Sequence, residues 1–143
     1  MAYIGKLPTA APTGIATTAT GTVLTLSDSN VLFGKGAYYA ESTLTDGATI
    51  TWNASTQPVA KVTLGGNRTL SAPTNSVAGQ FIALTVIQDG TGSRTLTFNS
   101  AYEFTADTAP TLTTTASKAD LFVFKYNGTV WQETGRNLNL SIT

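Results

Sequence analysis

The chain has 143 residues, with eight Lys or Arg against eight Asp or Glu, and neither His nor Cys. Without Cys there are no disulfides, thiolate nucleophiles or Cys-based zinc sites, and without His the commonest general base and metal ligand is gone. Charged residues make up 11% where soluble domains average about 25%, so the surface offers no electrostatic attraction for nucleic acid or an anionic membrane.

Zero net charge promotes association. Thr supplies roughly a fifth of the chain. Two readings fit: a protein that buries surface in an assembly, and a free Thr/Asn-rich domain kept soluble by hydroxyls and amides. The start, MAYIGKLPTAAPTGIA, lacks the apolar stretch of a secretory signal. No apolar run reaches the length of a membrane span. The expectation is synthesis in a cytoplasm without export.

Residues 1–21 read as an extended N-terminal arm, punctuated by Pro8 and Pro12. Residues 22–143 read as one β domain. Thr22 to Ser27 alternates and predicts a strand. Val31 to Ala40 is apolar and aromatic but is interrupted by Gly34 and Gly36, giving a bent strand or loop that carries Tyr38 and Tyr39. Asp46-Gly47 between ESTLT and ATITWN predicts a hairpin. Val59 to Leu64 is the next strand, and Gly65-Gly66-Asn67-Arg68 turns the chain into Thr69-Leu70. Ser71 to Gly79 is a loop.

Gln80 to Gln88 is the most apolar strand. Ile82, Leu84 and Val86 share one face, and Phe81, Ala83 and Ile87 share the other, which implies burial on both sides. Asp89 to Ser93 turns the chain into Arg94 to Asn99, with Leu96 and Phe98 inward. A Thr/Ala/Pro loop runs from Ala106 to Ser117. Asp120 to Tyr126 and Thr129 to Thr134 flank Asn127-Gly128, a type I′ hairpin signal that sets Tyr126 opposite Thr129 and Phe124 opposite Trp131. The tail from Asn137 alternates Leu138, Leu140 and Ile142 and adds an edge strand. Short strands at regular spacing predict an all-β fold, an antiparallel β-sandwich or a barrel. The absence of a strict repeat argues against a solenoid.

Motifs for chemistry are sparse. Gly90-Thr91-Gly92-Ser93 lacks the Lys-Ser/Thr ending and following helix of a phosphate loop, so it reads as a turn. Gly34-Lys35-Gly36 fails the same test. Asn53, Asn67, Asn127 and Asn139 each begin an N-glycosylation sequon, as chance allows in an Asn/Thr-rich chain. The acids are scattered, and no pair is spaced like a glycosidase dyad. No catalytic residue, metal ligand or cofactor is assigned, and the expectation is a non-enzymatic protein. Trp52, Trp131, Tyr38, Tyr39 and Tyr102 have the chemistry to stack on sugars. Trp131 is better explained as a core aromatic, and Tyr38-Tyr39 as a contact between subunits.

The stretches VTLGGNRTLSAPTN, QDGTGSRTLTF, APTLTTTAS and DLFVFKYNGTVW resemble a module of bacteriophage tail-fibre and tailspike proteins. The resemblance covers about Asp46 to Glu133 and implies a β-sandwich or jelly-roll-like domain, commonly trimeric, on the virion exterior, without universal catalytic residues. Only some 45 residues precede the module, leaving no room for a fibre shaft. The first expectation is therefore a trimeric decoration (cement) protein on the outer capsid, a homotrimer bridging subunits of the major capsid protein. The alternative is a short tail fibre that recognises host surface polysaccharide. The candidate assembly contacts are Tyr3, Ile4, Leu7, Pro8 and Pro12 on the arm, with Tyr38 and Tyr39 beyond it.

Overall fold

A computed structural model describes residues 38–142. The arm expected over 1–21, the strand at 22–27, the Gly34-Lys35-Gly36 stretch, and the contacts Tyr3, Ile4, Leu7, Pro8 and Pro12 lie outside the described residues.

From Tyr38 the chain is almost wholly β. Its strands are β1 (Ser42–Thr43), β2 (Thr49–Ile50), β3 (Val59–Leu64), β4 (Arg68–Leu70), β5 (Phe81–Gln88), β6 (Leu96–Phe98), β7 (Tyr102–Glu103), β8 (Lys118–Tyr126) and β9 (Trp131–Ser141). They form a six-stranded sheet, β1-β3-β5-β8-β9-β7, and a three-stranded sheet, β2-β4-β6. The all-β sandwich predicted from strand spacing is what forms.

Strand direction is mixed rather than uniformly antiparallel. From β1 to β6 the chain steps alternately from the large sheet to the small one, and each strand lies parallel to its predecessor in the same sheet. The result is a three-rung coil, closed on one side by the antiparallel pair β8–β9, with β8 antiparallel to β5. The connectivity is thus that of a short winding, not of a jelly roll. The rungs stack without equal length, so the winding leaves no strict repeat in the sequence. The first step pairs Ser42 with Ala60 and Thr49 with Thr69. The longer second step pairs Val59 with Ala83 and Arg68 with Leu96.

The Asp46-Gly47 turn is therefore a corner between sheets and not a hairpin. Gly47 does not adopt a positive φ, which a type I′ turn requires. Leu44 donates its N–H to the Lys61 carbonyl at 2.8 Å, which holds it to the next rung.

Asn127-Gly128 does join two antiparallel strands, but with four loop residues. Tyr126 faces Trp131 and Phe124 faces Glu133. Only Gly128 has positive φ, +105°. The Asn127 side chain accepts N–H bonds from Thr129 (2.8 Å) and Val130 (2.9 Å), closing an Asx turn that replaces the I′ geometry. β9 then continues without a break into the tail, so one long strand stands where two were predicted.

The core lies between the sheets. Ala60, Val62, Leu64, Ile82, Leu84, Val86, Phe122 and Phe124 come from the large sheet, and Ile50, Leu70 and Leu96 from the small one. An aromatic cluster fills one end. Phe98 meets Phe104 edge-on at 5.0 Å and Phe122 at 5.6 Å, and Tyr102 meets Phe124 at 5.0 Å. Such T-shaped contacts contribute beyond area burial, by about 0.5–1.5 kcal/mol each. Trp52 is buried and donates Nε1–H to the Gln57 carbonyl at 2.7 Å. Trp131 is buried against Tyr126. The opposite face of β5 is not covered to the same degree: Phe81 is 56% exposed, while Ala83 and Ile87 are half-buried.

Candidate interaction surface

The corners account for most of the polar motifs. At the first corner the Asp46 carboxylate takes two bonds from the Arg68 guanidinium, at 2.8 and 2.6 Å, tying rung one to rung two. At the second, Asn67 Oδ1 accepts from the Thr95 N–H at 3.1 Å, tying rung two to rung three. At the third, Asp89 binds Arg94 and also accepts the N–H groups of Thr91 (2.9 Å) and Gly92 (2.8 Å). The amides that a phosphate loop would offer to an anion are thus already occupied by the protein's own carboxylate. Hydrogen bonding to Arg68 holds the Asp46 pKa below its ordinary value, and Arg94 does the same for Asp89, helped by the Gly92 and Thr91 amides.

The sequon asparagines have similar local duties. Asn53 accepts from the Ser55 N–H, and Asn67 and Asn127 act as described above. Asn139 takes φ +58° near the end of β9.

Tyr102, a candidate sugar contact by residue type, is buried and donates its hydroxyl to the Ser71 carbonyl at 3.1 Å. Burial pushes its pKa up. Trp52 and Trp131 are core residues, so none of these three rings is available to a ligand. Glu103 is exposed, and the neighbouring Asp107 carboxyl raises its pKa by hydrogen bonding and repulsion. Among the described residues no three His, Cys, Asp or Glu side chains cluster to hold a metal.

An open cleft of about 220 Å³ lies between the start of β6 and the loop before β8, lined by Arg94, Thr95, Leu96, Pro110, Thr111, Leu112 and Thr114. Its one charged group, Arg94, is already paired with Asp89 at 2.8 Å.

Exposed apolar side chains mark the other surfaces. Tyr38 and Tyr39 are 89% and 71% exposed and precede β1. Val77 and Phe81 stand at the entry to β5, beside the β8–β9 loop, where Gly79 donates to the Tyr126 carbonyl. Leu138, Leu140 and Ile142 are exposed at the far end of β9. The alternation of that tail was readable in the sequence; its exposure was not.

The end of β9 is anchored by a group that the sequence did not single out. Asp120 is 2% exposed and accepts the N–H groups of Thr113 (2.7 Å) and Asn139 (2.9 Å). Two residues, Leu138 and Asn139, stand opposite Asp120, forming a bulge. Further up the strand, the nearly buried Glu133 binds Arg136 at 2.6 Å.

These surfaces belong to an all-β module whose corners are tied together by its own side chains. Residues 44–131, more than half of the chain, match the family described as "Putative phage tail fibre C-terminal domain", and the chain belongs to that family. No curated protein matches it. The protein is a phage virion structural protein with a tail-fibre-type module, and is virion-associated.

Proposed function

We propose that this chain is an externally displayed tail-fibre module that meets the host surface polysaccharide, and that it works as a homo-oligomer rather than as an enzyme. The observation that carries this reading is the family match over residues 44–131. The resemblance implies a homotrimer, and the sequence context of Tyr38 and Tyr39 makes them candidate contacts between subunits. Their exposure fits that role.

A second reading is a capsid decoration protein that bridges major capsid subunits. It is favoured by the neutral, charge-poor composition, which suits close packing of many copies. A protein that binds the assembled shell and not its free subunits stabilises that shell by mass action. Copy number per purified virion, measured by quantitative mass spectrometry against the major capsid protein, separates the two. A few to a few tens of copies support the fibre. Copies in the hundreds refute it and support the decoration role.

A further inference from the structure

Two walls make the cleft beside β6. One is Arg94, Thr95 and Leu96, and the other is the loop from Pro110 to Thr114. Among the described residues two polar ones are buried, Gln88 at 3% and Asp120 at 2% exposed, and each holds one wall. Gln88 grips the main chain of Arg94 on both sides: its Oε1 accepts the N–H at 2.8 Å and its Nε2 donates to the carbonyl at 2.9 Å. Asp120 accepts the Thr113 N–H at 2.7 Å. The Ser93 N–H reaches the Thr114 carbonyl at 2.7 Å and joins the two walls. A buried, hydrogen-bonded polar side chain rigidifies what it touches, and a binding site needs that support from behind.

The lining combines apolar and polar groups. Leu96 and Leu112 are buried and, with Pro110, supply the apolar part. Thr95, Thr111 and Thr114 are exposed and bring hydroxyls. Nearby hydroxyls are occupied: Thr108 donates to the Ala106 carbonyl at 2.9 Å, and Thr113 accepts the Asn139 N–H at 3.0 Å. No side-chain bond among the described residues occupies those of Thr95, Thr111 or Thr114. Arg94 bonds Asp89 through Nε at 3.0 Å and Nη2 at 2.8 Å, which fixes the guanidinium plane and leaves the Nη1 donors out of the pair.

The geometry points to this cleft as a site for one ring of a neutral glycan. A sugar ring carries C–H groups on one face and hydroxyls around its rim, and each hydroxyl both donates and accepts. The leucines and Pro110 suit the first, and the threonine hydroxyls with Arg94 Nη1 suit the second. Asp89 cancels the Arg94 charge, so an anionic ligand gains no net attraction here. No aromatic side chain lines the cleft, so a nucleobase has nothing to stack on. The volume of about 220 Å³ lies below the roughly 300–1,000 Å³ of drug-sized sites, which suits a single ring. At ordinary ligand efficiency a ring of about a dozen non-hydrogen atoms binds with millimolar strength, and many copies on one virion raise that by avidity.

The inference rests on the fibre reading above for its occupant, while its test is independent of copy number. Amide NMR spectra of the full chain are recorded with glucose, galactose, mannose, rhamnose or N-acetylglucosamine, and separately with glucuronate and sodium phosphate. The expected result is that a neutral sugar shifts the amides of Arg94–Leu96 and Thr111–Thr114 and saturates in the millimolar range, with neither anion binding more tightly. Thr95→Val combined with Thr111→Val keeps side-chain shape at two exposed positions and removes both hydroxyls. It should weaken binding on the order of 10-fold, with the rest of the spectrum showing that the fold is kept. The exposed control Val77→Ala should leave binding unchanged. No shift with any of the neutral sugars overturns the proposal. So does a response to the anions alone, shifts confined to Tyr38 and Tyr39, or binding that the double Val variant retains in full. Copies in the hundreds with a sugar-binding cleft would refute the fibre and keep the site, and fibre-level copies with a silent cleft would do the reverse.

Discussion

Gly92 is a glycine hemmed in by backbone at the third corner of the coil. It is buried with φ +75° in the third corner. A Cβ there would lie 2.6 Å from the Thr114 carbonyl oxygen, 2.8 Å from the Ala116 nitrogen and 3.1 Å from its Cα. All three are backbone atoms, so no side chain can rotate away. Two costs combine in Gly92→Ala. The left-handed backbone costs about 1 kcal/mol for a non-glycine residue, and forcing the loop away costs about 1–3 kcal/mol more. Moving Thr114 also strains its 2.7 Å bond from the Ser93 N–H.

Two other glycines separate these costs. Gly79 has φ +89° but nothing within 4 Å of its would-be Cβ, so Gly79→Ala should lose only the backbone part, about 1 kcal/mol. Gly90 has neither a positive φ nor a neighbour, so Gly90→Ala should be neutral or slightly stabilising. Urea unfolding midpoints of the three variants give the ranking. At roughly 4 °C per kcal/mol for a domain of this size, Gly92→Ala should lower Tm by roughly 8–16 °C. If Gly92→Ala loses no more than Gly79→Ala, the close approach of the Asp89–Ser93 corner to Thr114–Ala116 is refuted.

Asp120→Asn keeps one acceptor but turns an amide donor toward the Thr113 or Asn139 N–H, and should cost about 1–3 kcal/mol; hydrogen exchange should localise the loss to the end of β9 and the loop before β8. Asp46 has a lowered pKa in the folded state, so its contribution is present above about pH 4, the unfolded range, and is lost as pH falls through the lower folded value. Asp46→Asn should flatten the acid limb of a stability–pH curve, and an unchanged limb would count against the Arg68 tie. Glu103 has the opposite sign: its raised pKa means that its favourable contribution exists in acid and is lost as pH rises through the folded value. Glu103→Gln should therefore be neutral to stabilising at pH 7, with the difference from wild type shrinking below pH 4 in the same unfolding assay.

The strands themselves were legible because alternation reports burial directly. Ile82, Leu84 and Val86 read as one face and are one face, as do Phe122 and Phe124. What alternation does not encode is the partner. Asp46-Gly47 marks a turn, yet whether the next strand folds back or crosses to the other sheet depends on Arg68, far along the chain, and on the Lys61 carbonyl that receives Leu44. The coil leaves no repeat in the sequence for a related reason: unequal rungs give no fixed period, although the corners stack. Residue type also separates core aromatics from surface ones poorly. Tyr102 and Tyr38 look alike in the sequence, but one is 5% exposed and the other 89%.

The corner ties bear on how this module can bind anything. Asp46, Asp89, Arg68 and Arg94 already carry opposite charges at hydrogen-bond distance, and Glu41 pairs with Lys61 at 2.9 Å, as Glu133 does with Arg136. Among the described residues, Glu103, Asp107, Lys118 and Lys125 are the charges outside these pairs that reach the surface, beside exposed hydroxyls, amides and aliphatic side chains. Screening acts on unpaired surface charges over about 10 Å at 0.1 M salt, so it has little here to weaken. Association through Tyr38 and Tyr39 should hold its strength from low to moderate salt, and salting-out anions such as sulfate should strengthen it. A steep loss of association between low and moderate sodium chloride would mean that ionic contacts outside these surfaces carry the binding.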